Sequence, residues 1–225
     1  MPRNYRQEKP LIYVFCEGES EQSYTQFLKE EFADAATIKC VSQTGLFEFA
    51  DDKFKKDAKF RVNKDIIDEI WFFFDVESFD LNKWDKRYCI INRLRKFRKS
   101  PRVRVRLLMT TACIEYWFIL HYHIISPPIA TPADKEHMLH LLPKKVPSYK
   151  KGDENSTKEI AKHYSCAVSN GKQVLFNLRN EGLPSLEDND ERNRWLIRSG
   201  RTFTTVHEAI VFLEQLKSNK ITPES

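Results

Sequence analysis

Residues Ile70 to Phe74 read Ile-Trp-Phe-Phe-Phe, and this run stops abruptly at Asp75-Val76-Glu77. Consecutive large apolar side chains leave no face for water, so a strand made of them must be covered on both sides, as in a parallel sheet between helices. The spacing predicts this strand over Ile66 to Phe74, and it fixes the class to which the rest of the chain must conform.

The flanking segments fit that class. Leu11 to Cys16 is a short apolar run broken by Glu17-Gly18, after which Tyr24, Phe27, Leu28 and Phe32 share one face of a helix. A second strand over Ile38 to Val41 is followed by Phe47, Ala50, Phe54 and Ala58 at helical spacing. Trp84, Tyr88, Ile91 and Leu94 mark a third helix, and Val103, Val105 and Leu107 alternate with arginines in a fourth strand. The order β-α-β-α-β-α-β predicts an α/β fold, a parallel sheet with helices on both faces. Ala112 to Ile125 is read as an apolar helical segment, and five prolines between Pro127 and Pro147 then mark the likeliest boundary. The expected organisation is a core over residues 1–125 and a mainly helical extension over 126–225, with helices at Glu159 to Leu178 and Thr205 to Leu216, a polar loop at Asn180 to Asp190, and disordered last residues.

Ligands of open parallel sheets bind at the carboxyl ends of the strands. Glu17-Gly18-Glu19-Ser20-Glu21 and Asp75-Val76-Glu77 both follow strands, and the two acids of the second motif are spaced to leave the strand end on the same side. Carboxylates gathered at one point repel each other unless a cation neutralises them, and oxygen donors suit Mg²⁺ or Mn²⁺. Gly18 allows a sharp turn or a close approach. The alternative is structural: Glu19, Ser20 or Glu21 caps the first helix, and Asp75 or Ser78 caps the third. The aromatics Trp71 to Phe74 and Phe79 are read as core rather than as a base-stacking surface.

Composition narrows the setting. The 225 residues carry a net charge of +5, a modest excess, but Lys86 to Arg106 concentrates ten Lys and Arg residues directly after the second acidic motif. Such a stretch suits phosphate steering, or equally a solvated helix followed by an edge strand guarded by charge. Within it Arg95, Arg98 and Lys99, together with Lys150 further on, are the candidate nucleic-acid contacts. The five cysteines form no CxxC pair and read as buried, reduced thiols. With no secretory h-region and no run long enough to span a bilayer, a cytoplasmic protein without a membrane partner is expected.

Strand-Glu-Gly-x-x-Glu followed by a strand ending in Asp-x-acid resembles the Toprim fold of topoisomerases, primases and OLD-type nucleases. More closely, Cys16-Glu17-Gly18-Glu19, Phe74-Asp75-Val76-Glu77, Cys113 to Tyr122, Tyr149-Lys150-Lys151-Gly152 and Thr204-Thr205-Val206-His207 resemble motifs of the RloB family in order. Two departures stand out: Asp75-Val76-Glu77 replaces the usual Asp-x-Asp, and Thr111-Ala112 replaces the usual Asn-Pro. The resemblance implies a Mg²⁺- or Mn²⁺-dependent nuclease acting on DNA or RNA, possibly tRNA, as the effector of an anti-phage, abortive-infection system with an ATPase partner subunit. It implies Glu17 as leading metal ligand or general base, Asp75 and Glu77 as ligands and Glu21 as an auxiliary one. Glu115, isolated on an apolar helix near His121, is an added catalytic candidate because a carboxylate there needs a counter-charge or hydrogen bonds. The competing expectations are a non-catalytic binding module working through a partner and, on the same fold, nucleotidyl transfer.

Overall fold

The computed structural model describes residues 9–77, 82–129 and 131–221. Strands β1 (Leu11–Cys16), β2 (Thr37–Ser42), β3 (Ile67–Val76) and β4 (Arg104–Thr111) form one all-parallel sheet in the order β2-β1-β3-β4. Helices α1 (Glu19–Glu31), α2 (Leu46–Lys56), α3 (Ala58–Val62) and α4 (Trp84–Leu94) connect the strands, and α5 (Ile114–Leu120) through α10 (His207–Ile221) build a helical C-terminal part. Ser78 and Phe79, read above as a helix cap and a core aromatic, lie outside the described residues, as do the final residues expected to be disordered.

Alternation along β3 explains the layers. Phe72 stacks on Phe47 of α2 with ring centroids 4.3 Å apart, and Phe74 meets Trp84 of α4 at 5.6 Å. The intervening Trp71 and Phe73 point the other way, to Phe212 of α10 and Tyr24 of α1, each at 6.3 Å. One apolar run therefore anchors helices on both faces. Asp75 shares the parity of Trp71 and Phe73, so it emerges on the α1 side.

The strand runs further than its apolar residues. Asp75 pairs with Thr110 and Val76 with Thr111, while Ile66 is left exposed before the strand starts. The expected helix over 112–125 contracts to α5: Ala112 adopts φ 64°, and the chain after Leu120 continues without helix, Tyr116 donating from its hydroxyl to Ile125 O at 2.9 Å. The expected helix over 159–178 is two helices. Asp153 caps α7 (Glu154–Ala161) by accepting from Ser156 N, and a break at Lys162-His163 redirects the chain into α8 (Tyr164–Leu178), so that α7 packs on α1 and α8 on α5 and α10. Two helices went unforeseen. In α6 (Pro132–Lys145), Thr131 and Asp134 form a capping box with a proline in the first turn, a start signal masked by the surrounding prolines. In α9 (Asp190–Arg198), Asn189 is the cap. Cys40, Cys89 and Cys166 are exposed rather than buried; Cys16 and Cys113 are buried as expected.

β4 ends the sheet, and the segment before α10 covers its edge. Thr205 N donates to Met109 O at 2.9 Å and Thr111 N to Phe203 O at 3.0 Å, with a bridge between Thr110 and Thr204. The Thr205 hydroxyl donates to Leu107 O at 2.7 Å and accepts from Met109 N at 2.8 Å, which is why α10 starts at His207 and not at Thr205. Below this seam, Arg106 forks onto the Glu69 carboxylate with two contacts of 3.1 Å, and fully buried Arg192 of α9 binds Glu208 and Asp188. Of the two β4 arginines, Arg106 therefore belongs to a buried tether and does not guard an open edge, whereas Arg104 stays exposed and binds Asp188 at 3.1 Å. Among the described residues, no helix is long and apolar enough to cross a membrane.

Replacing Thr205 with valine keeps the shape but strips two buried backbone groups of their partner, so it should cost about 1–3 kcal/mol in urea unfolding. Thr205→Ser should recover most of that loss; equal stability of all three proteins would remove the seam's importance.

Candidate metal centre

Three chain segments bring acids to the carboxyl ends of the strands. After β1, the Glu17-Gly18 turn leads into α1, and the Glu21 carboxylate folds back onto Gly18, where any Cβ would collide with it. Gly18 itself is extended, with φ −106°, so what glycine provides here is room for the Glu21 carboxylate and not a left-handed turn. Asp75 closes β3, and Glu77 follows it. Glu115 stands in the first turn of α5. Ala112, at φ 64° with its N–H donated to Val76 O at 3.1 Å, makes the sharp entry to that helix. Proline, held near φ of about −65°, does not fit this turn, so the departure from Asn-Pro changes the backbone locally.

Glu17, Glu19, Glu21, Glu48, Asp75, Glu77 and Glu115 all line one cleft of about 780 Å³. Glu17 is exposed at its mouth, whereas Glu21 and Glu115 are buried at 4% and 1% exposure, which is what makes their charges matter. Neither acidic motif serves as a helix cap: α1 is preceded by Gly18 and α4 by Lys83, each without a side-chain cap bond.

The inner acids are strongly coupled. Asp75 Oδ1 and Glu115 Oε2 are enclosed and have no hydrogen-bond partner among the described residues. The other Glu115 oxygen accepts from the Tyr149 hydroxyl at 2.9 Å. Burial, and then the charges of Glu21 and Glu115, push the Asp75 carboxyl well above its usual range. Burial, with Glu115 adding, pushes Glu21 up to about 7. The Cys113 thiol is pushed up to about 12 by burial and by Glu115 and Asp75.

This donor set fits a hard divalent cation. It is rich in carboxylate oxygen, two of its oxygens are orphaned, and its negative charge is incompletely matched by protein cations. The side chains are not yet gathered for the purpose: among the described residues, no three His, Cys, Asp or Glu side chains converge closely enough to hold an ion as they stand. Glu77 instead receives Lys135 Nζ of α6 at 2.7 Å.

The cleft takes only the first two members of the basic stretch, Lys86 and Arg87, and none of the four candidate nucleic-acid contacts. Lys83, Lys86 and Arg87 line one wall, and Lys151 another. Lys151 is carried by a strap pinned to α1: Gly152 N donates to Ser20 Oγ at 3.1 Å, and Ser23 Oγ donates to Gly152 O at 3.0 Å. Gly152 has φ 76°, and a Cβ there would strike the Glu19 side chain. Arg95, Arg98, Lys99 and Lys150 do not line the cleft. Arg95 forks onto Asp190 at 2.7 and 2.8 Å, and Arg98 binds Pro101 O at 2.7 Å and Asp68 at 3.2 Å. The reason is direction: α4 returns toward the start of β4, so only its first turn remains beside the acids. His121 is no partner of Glu115 either. It bonds Tyr24 and the Trp117 carbonyl, and burial pulls it down to about 3. Lys135, Lys151, Glu48 and Tyr149 were given no role from the sequence because each arrives by tertiary packing, and only the Tyr149-Lys150-Lys151-Gly152 motif signalled two of them.

A family model described as RloB-like protein matches residues 12–213. No curated protein and no solved structure matches the chain.

Glu21 and Asp75 bind protons more tightly folded than unfolded, so their contribution to stability is present below the ordinary carboxylate range and is lost as pH rises through the folded value, about 7 for Glu21. In EDTA, the urea midpoint should therefore fall between about pH 5 and pH 8, and the fall should be shallower in Glu21→Gln. A variant slope equal to that of the parent would contradict the buried cluster.

Proposed function

We propose, from the premise that this chain belongs to the RloB-like family, that it is a metal-dependent nuclease. The observation that carries this reading is the meeting of buried Glu21 and Glu115 with half-buried Asp75 at the strand ends, where one enclosed oxygen each of Asp75 and Glu115 has no hydrogen-bond partner among the described residues. An acid cluster of this kind raises the free energy of the fold, which is sensible at a site that binds a cation and wasteful elsewhere.

Asp75, Glu21, Glu115 and Glu17 would hold the ion, with Glu77 joining on release from Lys135. Mg²⁺ or Mn²⁺, when bound, neutralises the cluster, polarises a phosphate and lowers the pKa of water. The chain's own groups do the rest. Exposed Glu17, where it is not itself a ligand of the ion, would be the base that accepts a proton from an attacking water. Lys151, Lys86 and Arg87 face the same cleft and orient the scissile phosphodiester. Tyr149 fixes one Glu115 oxygen so that the other stays directed at the ion. The substrate is DNA or RNA, tRNA included, and the setting is anti-phage defence. The given sequence contains no Walker A motif, so any nucleotide-driven control would come from a partner, for which an ATPase subunit is the natural kind. One observation favours a second reading, a binding module without catalysis: Glu77 is already neutralised by Lys135.

Plasmid, single-stranded DNA and bulk tRNA incubated with Mg²⁺, Mn²⁺ or EDTA separate the two. Cutting should require metal and fall by at least about a hundredfold in Glu17→Gln and Asp75→Asn. Cutting that survives both changes, or none under any condition with and without an ATPase partner, sinks the nuclease. Mn²⁺ at about a hundred times its Kd should also stabilise the parent by about 2.7 kcal/mol and the Asp75→Asn variant by much less.

A further inference from the structure

A second cavity, about 380 Å³, adjoins the acid cleft, and Glu77 lines both. Val76, Ile129, Leu196 and Phe203 give it apolar walls, where the acid cleft has mostly charged ones. Its charged lining is Lys135, Arg198 and Arg201 against the single acid Glu77, an excess of positive charge. The arginines are committed only weakly. Arg201 meets Glu181 at 2.9 Å and Arg198 meets Asp85 at 3.9 Å, all four side chains being solvent-exposed, so these pairs are worth little and exchange readily for a phosphate.

Few groups combine a flat apolar body with an adjacent negative charge and lie next to a scissile phosphate. Resting on the nuclease reading, we infer that this cavity receives one unpaired nucleobase of the substrate strand, while Arg198 and Arg201 contact the phosphate beside it. The volume lies in the lower part of the range that encloses small organic groups, about 300–1,000 Å³. A base enters only when it is out of a helical stack, because the cavity lies between the end of the sheet and helices α6 and α9. The substrate class that follows is single-stranded or looped nucleic acid, not continuous duplex.

The test alters the nucleic acid first and so leaves the fold untouched. A labelled single-stranded oligonucleotide carrying one abasic site at each position in turn is titrated with the full chain in EDTA, beside the matching duplex. One position should weaken binding by roughly tenfold, the others by little, and the duplex should bind worse than the single strand. The double variant Arg198→Glu/Arg201→Glu, altered at exposed positions away from the acid cluster, should weaken binding and flatten the positional dependence. Equal loss at every position, equal duplex binding, or no binding overturns the base cavity. Because this readout is affinity, it is separate from catalysis. Position-dependent binding without cutting in metal would sink the nuclease alone, and cutting indifferent to every abasic position would sink the cavity alone.

Discussion

Two-sided burial of β3 is the constraint from which the rest of the molecule follows. Phe72 and Phe74 require α2 and α4 on one face, and Trp71 and Phe73 require α1 and α10 on the other. A strand enclosed in this way has a fixed register, since a slip of one residue would exchange every side chain between layers. The same parity that seats Phe73 against Tyr24 sends Asp75 out beside α1. The location of the acid is thus inherited from hydrophobic packing, and the polar group contributes nothing to its own placement.

Charge is handled in opposite ways at the two ends of the sheet. Near the start of β4, Glu69, Arg106, Asp188, Arg192 and Glu208 form a buried set in which acids and arginines are matched by short contacts. At the strands' carboxyl ends, Glu21 and Glu115 are buried and Asp75 half-buried, with their protein cations at the periphery. Both arrangements bear the desolvation cost of buried ions, but only the first offsets it internally. The second leaves its charge to be met by protons or by a cation from outside the chain, which is the physical difference between the tether and the cleft.

What could be read from the sequence divides along the same physical line. Strands and the first helices were legible because periodicity within a dozen residues records which side faces the core, and the two acidic motifs were legible because they interrupt that periodicity. The reading failed where packing between distant segments decides. Nothing near Lys86 to Arg106 tells that α4 turns its later arginines to the wrong end of the sheet, or that Arg106 will be enclosed with Glu69. The break at Lys162-His163 likewise answers to neighbours far along the chain, since α7 packs on α1 and α8 on α5 and α10. Lys150 and Lys151 are chemically identical in sequence, and only the pinning of Gly152 to α1 makes the second one face the cleft.

That pinning bears on what counts as a unit in this protein. A division after residue 125 would leave every candidate acid in the first piece, and by residue inventory the piece would look sufficient. It would nonetheless lack the hydroxyl that holds Glu115, the lysine opposite Glu77, the lysine beside Glu21 and the threonine strip along β4. The boundary suggested by prolines is therefore one of chain architecture alone. Electrostatically the two parts are halves of a single object, and a gene encoding only the first would inherit the acids without the field that surrounds them.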